Sequence, residues 1–148
     1  MIRIEKLSRQ FEVGNQIVRA LDHVDLEITE GEYVSIMGVS GSGKSTLLNI
    51  LGLLDTPTSG NYILSGINTS EMNDDEMAHI RSTKIGFVFQ SFHLIPRLTA
   101  AENIEMPMVL AGIKPKDRKE KVDLALSRVS LTDRSDHKPE QLSGGQRQ

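Results

Sequence analysis

Eight consecutive residues, Gly38-Val39-Ser40-Gly41-Ser42-Gly43-Lys44-Ser45, restrict this chain more than any other stretch, because they fit the pattern G-x-x-x-x-G-K-[ST] without a mismatch. Glycines at 38, 41 and 43 let the backbone take turns that a Cβ resists, so that successive amides can point inward at phosphate oxygens. Lys44 brings a point charge to β- and γ-phosphates, and Ser45 offers a hydroxyl to Mg2+. With Val39, Ser40, Ser42 and the following Thr46, these residues form a candidate cradle for a nucleoside triphosphate and its magnesium ion.

The flanks supply the context such a loop needs. Tyr33 to Met37 (YVSIM) is a short β-rich run that feeds directly into the loop. After it, KSTLLNILGLL places Leu47, Leu48, Ile50, Leu51 and Leu54 on a broad apolar face, so a buried helix is expected whose positive end aims at the same anion. Pro57 and Gly60 in DTPTSG mark its stop.

Upstream, residues 2–28 alternate apolar and polar stretches around a Gly14-Asn15 turn signal, which predicts antiparallel strands. Downstream, NYILSG (61–66) reads as a strand, and Asn73 with Glu76 caps a helix through about Arg81. Ile85 to Phe89 (IGFVF) is a continuous apolar run, as expected for a strand covered on both faces. From Gln90 onward the pattern is helical. Thr99 and Glu102 form a capping-box pair, Pro107 should kink or break the helix they open, and a charged helix from about Lys116 sets Val122, Ala125, Leu126 and Val129 on one face.

Composition narrows the function classes. With 148 residues, 38% of them hydrophobic, the chain is long enough for a real core. Twenty acids against 17 bases, a formal charge of -3, give no reason to bind DNA or RNA along an extended surface. The absence of cysteine excludes disulfides and thiolate metal sites and fits a reducing cytosol. The start at Met1 shows no signal-peptide pattern, and no apolar run approaches the roughly 18 residues a membrane span needs. The histidines at 23, 79, 93 and 137 lack metal-ligand spacing.

Three features in this order, GVSGSGKST at 38–46, IGFVFQ at 85–90 and LSGGQ at 142–146, resemble the Walker A, Q-loop and signature motifs of the ATP-binding cassette (ABC) ATPases. LDTPTSG, FVFQSFHLIPRLTAAENIEMP and HKPEQLSGGQ resemble in particular the subgroup that drives lipoprotein-release and macrolide-export permeases. The resemblance runs over the whole chain. It implies an α/β phosphate-loop NTPase core with an N-terminal antiparallel β subdomain and a helical subdomain. Residues 1–90 would carry the β subdomain and the phosphate-loop part of the core, and 91–148 the helical subdomain, together one ABC domain lacking the C-terminal part of its core.

The resemblance also implies roles. Gln90 matches the glutamine that contacts Mg2+ and the attacking water, for which an amide that both donates and accepts is suited. Lys44 and Gln90 are thus the candidate catalytic residues, and Ser45 and Gln90 the candidate metal contacts. Phe11 stands where family members usually carry a tyrosine that stacks on adenine, although an aromatic at a strand end is also commonly core. The apolar segment after Gln90, with Phe92, Leu94 and Ile95, either meets coupling helices of a permease or packs the helical subdomain.

Leu142, Ser143, Gly144, Gly145 and Gln146 match the signature that closes over ATP held by a second, head-to-tail subunit. Ser143 and Gln146 form a capping-box pattern, but only Arg147 and Gln148 follow, so a frayed end is expected. A Walker B strand, its aspartate and the catalytic glutamate have no match. Leu51 to Asp55 (LGLLD) imitates one but lies on the helix after the phosphate loop. Without that strand, residues 33–37 should keep an unpaired edge, and poor stability or association is expected.

Three functions remain open on the sequence. One is the ATP-binding subunit of an ABC transporter, using ATP and Mg2+ on the cytoplasmic face of the cell membrane beside permease subunits and a second ATP-binding subunit. Another is a hydrolysis-incompetent, nucleotide-binding fragment. The third, a cassette ATPase acting on nucleic acid or ribosomes, is disfavoured by the acidic balance and the lack of basic or coiled-coil insertions.

Overall fold

The computed structural model describes all 148 residues and divides into two compact units, Met1–Phe87 and Val88–Gln148. In the first, strands β1 (Ile2–Val13) and β2 (Gln16–Ile28) form a long antiparallel hairpin, with Gly14 at φ 60° in the tight turn that a Cβ would strain. Strand β3 (Ser59–Leu64) pairs antiparallel with the other edge of β1, and the two-residue β4 (Ile67–Asn68) follows it, giving the order β2-β1-β3-β4.

The hairpin is bulged. Its register slips between Ile4 and Leu7, Leu7 and Arg9, and Arg9 and Gln10. The slip explains why Ile4 and Leu7, three positions apart, are both buried, which strict alternation would forbid. Side chains satisfy the backbone donors that the bulges release: Lys6 N donates to Asp25 Oδ1 (2.8 Å), His23 N to Ser8 Oγ (3.0 Å) and Gln10 N to Thr58 Oγ1 (3.0 Å).

Helix α1 (Lys44–Leu51) lies against this sheet. Leu47, Ile50 and the following Leu53 join Ile4, Leu7, Leu21, Tyr62 and Leu64 in one buried cluster. The expected apolar face is only partly used, since Leu48 and Leu54 are 55% and 51% exposed. One side of this eight-residue helix packs on the sheet, Leu48 lies on the other, and Leu54 lies beyond its end. Helix α2 (Asp74–Lys84) begins at the expected Asn73–Glu76 capping box and anchors through Met77 and through Arg81 Nη1, which donates to Leu53 O (2.6 Å).

Neither expected core strand forms. Residues 33–37 and 85–89 join no ladder, with Tyr33 96% and Met37 86% exposed. Local composition favours strand there, but a strand exists only through a hydrogen-bonded neighbour, and none of β1–β4 pairs with either run.

In the second unit, α3 (Ala100–Leu110) starts at the expected Thr99–Glu102 capping box and runs through Pro107 without a break. Helix α4 (Pro115–Arg128) buries Val122 and Leu126, while Val129, expected on the same face, is exposed beyond the helix end. Arg118 ties the two helices, its Nε donating to Glu105 Oε1 (2.7 Å) and its Nη1 to Ile113 O (2.7 Å). No helix is long and apolar enough to cross a membrane.

Tyr62 is 1% exposed, and its hydroxyl donates to Leu51 O (2.8 Å) at the end of α1. Burial pushes its phenol up from 10.0 to about 12. A folded-state value above the unfolded one means full stability below pH 10, lost as pH rises through 12, by about 3 kcal/mol at most for such a shift. Tyr62→Phe is expected to remove that component of alkaline destabilisation and to cost about 1 kcal/mol near neutrality, both read from urea unfolding at a series of pH values.

Candidate functional site

Gly43 joins the phosphate loop to α1 in the left-handed conformation, φ 87° and ψ 0°. It also lies so close to β2 that an added Cβ would run into the Ala20 carbonyl oxygen and reach 3.0 Å from Leu21 Cδ2. Only glycine meets both conditions. Gly41 is likewise left-handed, at φ 79°, but in open space. At Gly38 the limit is a neighbour instead: a Cβ there would stand 2.8 Å from Ser42 Oγ.

The N-terminus of α1 differs from those of α2 and α3. Each of those has a capping box, whereas no side chain caps α1. Its first amides therefore keep their hydrogens for an outside acceptor. Lys44 Nζ donates to Val39 O (2.6 Å) and lies 3.5 Å from Ser42 Oγ, so the cation is held over the loop by neutral acceptors that an anionic oxygen would outcompete.

Val18, Arg19 and Ala20 of β2 wall a recess of about 280 Å³ whose floor is Ser40, Gly41, Gly43, Lys44, Ser45 and Thr46. Val39 is 78% exposed beside it, Ser45 is exposed and Thr46 half-buried. The volume suits a chain of phosphates, and a base attached to them would lie outside. Elsewhere in this unit a larger open groove, about 890 Å³, lies over the sheet and contains none of these residues.

Phe11 sits near the hairpin tip, opposite Val18 and 37% exposed, so it is not core. The Arg9 guanidinium lies 4.5 Å from its ring centroid. Both carboxylate oxygens of Asp55 accept from Arg9, from Nε at 2.9 Å and Nη2 at 2.7 Å. LGLLD is therefore the end of α1 and its exit turn rather than a strand, and its aspartate holds an arginine. Nothing in the sequence pattern signals that pair, which spans 46 positions.

Gln90 and the LSGGQ stretch both belong to the second unit. Gln90 is exposed in a turn. The chain end is not frayed: Ser143 caps a one-turn helix α5 (Gly144–Arg147) with a complete capping box. Gln146 N donates to Ser143 Oγ (3.4 Å) and Ser143 N to Gln146 Oε1 (2.9 Å). Tertiary contacts replace the missing helix length. Leu142 is buried, Arg147 lies over the Phe92 ring at 5.2 Å, and Gln148 Nε2 donates to Phe89 O (3.0 Å), the residue before Gln90.

Asn103 fixes the segment between these parts. Its Oδ1 accepts from Ile95 N (2.8 Å), while its Nδ2 is shared among the carbonyls of Ile95, Leu98 and Thr99. Phe92 and Ile95 remain 36% and 42% exposed, and Leu94 is half-buried. No group of three or more histidine or carboxylate side chains could hold a metal ion.

A family model described as "ABC transporter" matches residues 21–148. Over all 148 residues the chain is 50% identical to the uncharacterized ABC transporter ATP-binding protein YknY of Bacillus subtilis (strain 168), covering 64% of that protein. It is also 50% identical over 148 residues to the macrolide export ATP-binding/permease protein MacB of Burkholderia pseudomallei (strain 1710b), covering 23% of it. A dimeric, post-hydrolysis structure of the ATP-binding cassette MJ0796 bound to ADP and Pi matches with a TM-score of 0.85 and 46% identity, over 99% of this chain and 65% of that one. The chain thus spans just under two thirds of the length of YknY and MJ0796. With MJ0796 it shares an α/β phosphate-loop fold with an N-terminal antiparallel β subdomain and a helical subdomain.

Three substitutions read this geometry. Gly41→Ala is expected to cost about 1 kcal/mol, the strain of a left-handed alanine, and Gly43→Ala clearly more, because the Ala20 carbonyl must also move. Equal costs in denaturant unfolding would mean that Gly43 does not press on β2. Ser143→Ala, which removes the α5 cap, is expected to speed hydrogen exchange at the Gln146 amide several-fold, consistent with about 1 kcal/mol of local stability.

Proposed function

The chain belongs to the ABC transporter family, and from that premise we propose that it is a nucleotide-binding portion of a transporter's ATPase subunit. The observation that carries this reading is the uncapped start of α1, set behind Gly43 and beside Lys44 in a recess sized for phosphates.

In this reading the amides of residues 41–46 grip the β- and γ-phosphates of ATP, and Lys44 exchanges its Val39 carbonyl for a phosphate oxygen. Ser45 fits Mg2+ as well, being exposed at the start of α1. Gln90, exposed in a turn of the second unit, is assigned to the same ion from the resemblance of IGFVFQ to the Q-loop alone. When bound there, Mg2+ would neutralise phosphate charge. Phe11 stacks on the base, and Ser143 with Gly144 and Gly145 contacts the nucleotide held by a second copy of the subunit, an arrangement that the dimeric MJ0796 supports.

The exposed Phe92 and Ile95, beside a segment pinned by Asn103, would meet a permease on the cytoplasmic face of the membrane. Resemblance to the macrolide export protein MacB favours export as the coupled process, and lipoprotein release rests on the resemblance of LDTPTSG and HKPEQLSGGQ. A hydrolytic base is not among these 148 residues. Their sole Asp-Glu pair, Asp75-Glu76, lies in the first turn of α2 after Asn73 and Asp74, not at the end of an apolar strand. The chain by itself therefore binds Mg-ATP without turning it over.

Isothermal titration of the chain with Mg-ATP is expected to show binding that Lys44→Ala weakens about tenfold or more, with phosphate release no faster than in buffer. Absence of binding would remove the reading. Robust turnover would refute the missing base.

A further inference from the structure

Asp55, the residue that makes LGLLD look like a Walker B end, has no part in the function just described, yet it grips Arg9 with both oxygens. We propose that Arg9, clamped by Asp55, is a positioning residue for the base: it backs one face of Phe11 so that the ring's other face receives a purine. This rests on the reading of Gly38–Thr46 as a triphosphate cradle.

Three observations converge. The first is place. The recess takes phosphates but not a base, and its wall reaches Val18, the cross-strand partner of Phe11. A base linked through its ribose therefore leaves the recess toward the aromatic ring. The second is geometry. A bidentate carboxylate fixes the plane of a guanidinium, and Arg9 so fixed lies 4.5 Å from the Phe11 centroid.

The third is anchoring. The segment holding Asp55 is tied to β1 by Gln10 N donating to Thr58 Oγ1 and by Thr58 N donating to Ser8 O (2.8 Å). It also follows directly on α1, whose opposite end begins at the phosphate loop. The base platform and the phosphate cradle are thus two ends of one tethered element.

The physical effect is twofold. A ring 37% exposed at a hairpin tip would otherwise sample several rotamers, and a cation on one face removes that freedom before the ligand arrives. The cation also draws π-density toward itself, which favours stacking of an electron-rich purine on the far face. Recognition by stacking requires no hydrogen bond to the base, in keeping with a phenylalanine at this position.

The test compares Mg-ATP with magnesium tripolyphosphate, which has the phosphates and no base, by calorimetry on the whole chain and its Arg9→Ala, Arg9→Lys and Asp55→Asn variants. Arg9→Ala is expected to weaken ATP about fivefold while tripolyphosphate changes less than twofold. Arg9→Lys, which keeps the cation but not the fork, and Asp55→Asn should fall between. Equal losses for both ligands, or none for ATP, would overturn the positioning role. If Arg9→Ala does not fold, the other two variants decide by the same comparison. Failure of the unaltered chain to bind either ligand would take down the triphosphate cradle itself, and this inference with it.

Discussion

The first unit depends on one apolar contact, the seating of α1 on the bulged β1–β2–β3 sheet. Leu47, Ile50 and Leu53 meet Ile4, Leu7, Leu21, Tyr62 and Leu64, and burying side chains of this kind contributes roughly 1.5–3 kcal/mol each before the cost of ordering them. The same contact sets the phosphate loop. With α1 pressed to the sheet, its first residue can approach β2 only if Gly43 carries no side chain, and the amides that follow are then aimed into the recess beside Val18, Arg19 and Ala20. Functional geometry here follows from core packing, one residue away from the core.

Apolar packing leaves a short helix free to rotate or slide, and polar contacts at its far end remove that freedom. Tyr62 takes the Leu51 carbonyl, Arg81 the Leu53 carbonyl, and Arg9 the Asp55 carboxylate, from β3, α2 and β1 respectively. The first satisfies a carbonyl that the helix end leaves unpaired and so closes the helix, while the other two tie its exit turn and fix its direction. An eight-residue helix would be marginal alone. Held by its core face and by three polar ties, it becomes the rigid part of the site.

What could be read from the sequence was whatever depends on neighbours in the chain. The phosphate loop, the Gly14 turn and the capping boxes at Asn73 and Thr99 are local chemistry, and each lies where the residues predict. What could not be read depends on partners far away. YVSIM and IGFVF have strand composition, but composition cannot supply a ladder. Leu48 is as apolar as Leu47 and differs only in which side of α1 meets the sheet, while Leu54 falls in the turn beyond the helix. The Arg9–Asp55 clamp joins residues whose proximity only the β1–β3 pairing creates.

The two serine-glycine stretches show how far similar local chemistry can diverge. GSGKS opens a helix of eight residues with no side-chain cap, so aligned peptides and free amides remain for an outside anion. LSGGQ opens only four residues, too few for aligned peptides to matter much, and the Gln146 amide is already taken by Ser143 Oγ. Counting residues after the serine predicts fraying, because it weighs only helix nucleation. Leu142 in the core of the second unit, Arg147 on the Phe92 ring and Gln148 on the Phe89 carbonyl hold the turn from outside, which nucleation arithmetic does not include. A short capped turn of this kind has its shape from tertiary contact, and its hydroxyl oxygen accepts in the cap while the O–H can still donate outward. An anion approaching it meets a hydroxyl whose oxygen the cap already holds in place, whereas at the phosphate loop it meets the uncapped first amides of α1 and a lysine that exchanges the Val39 carbonyl for it.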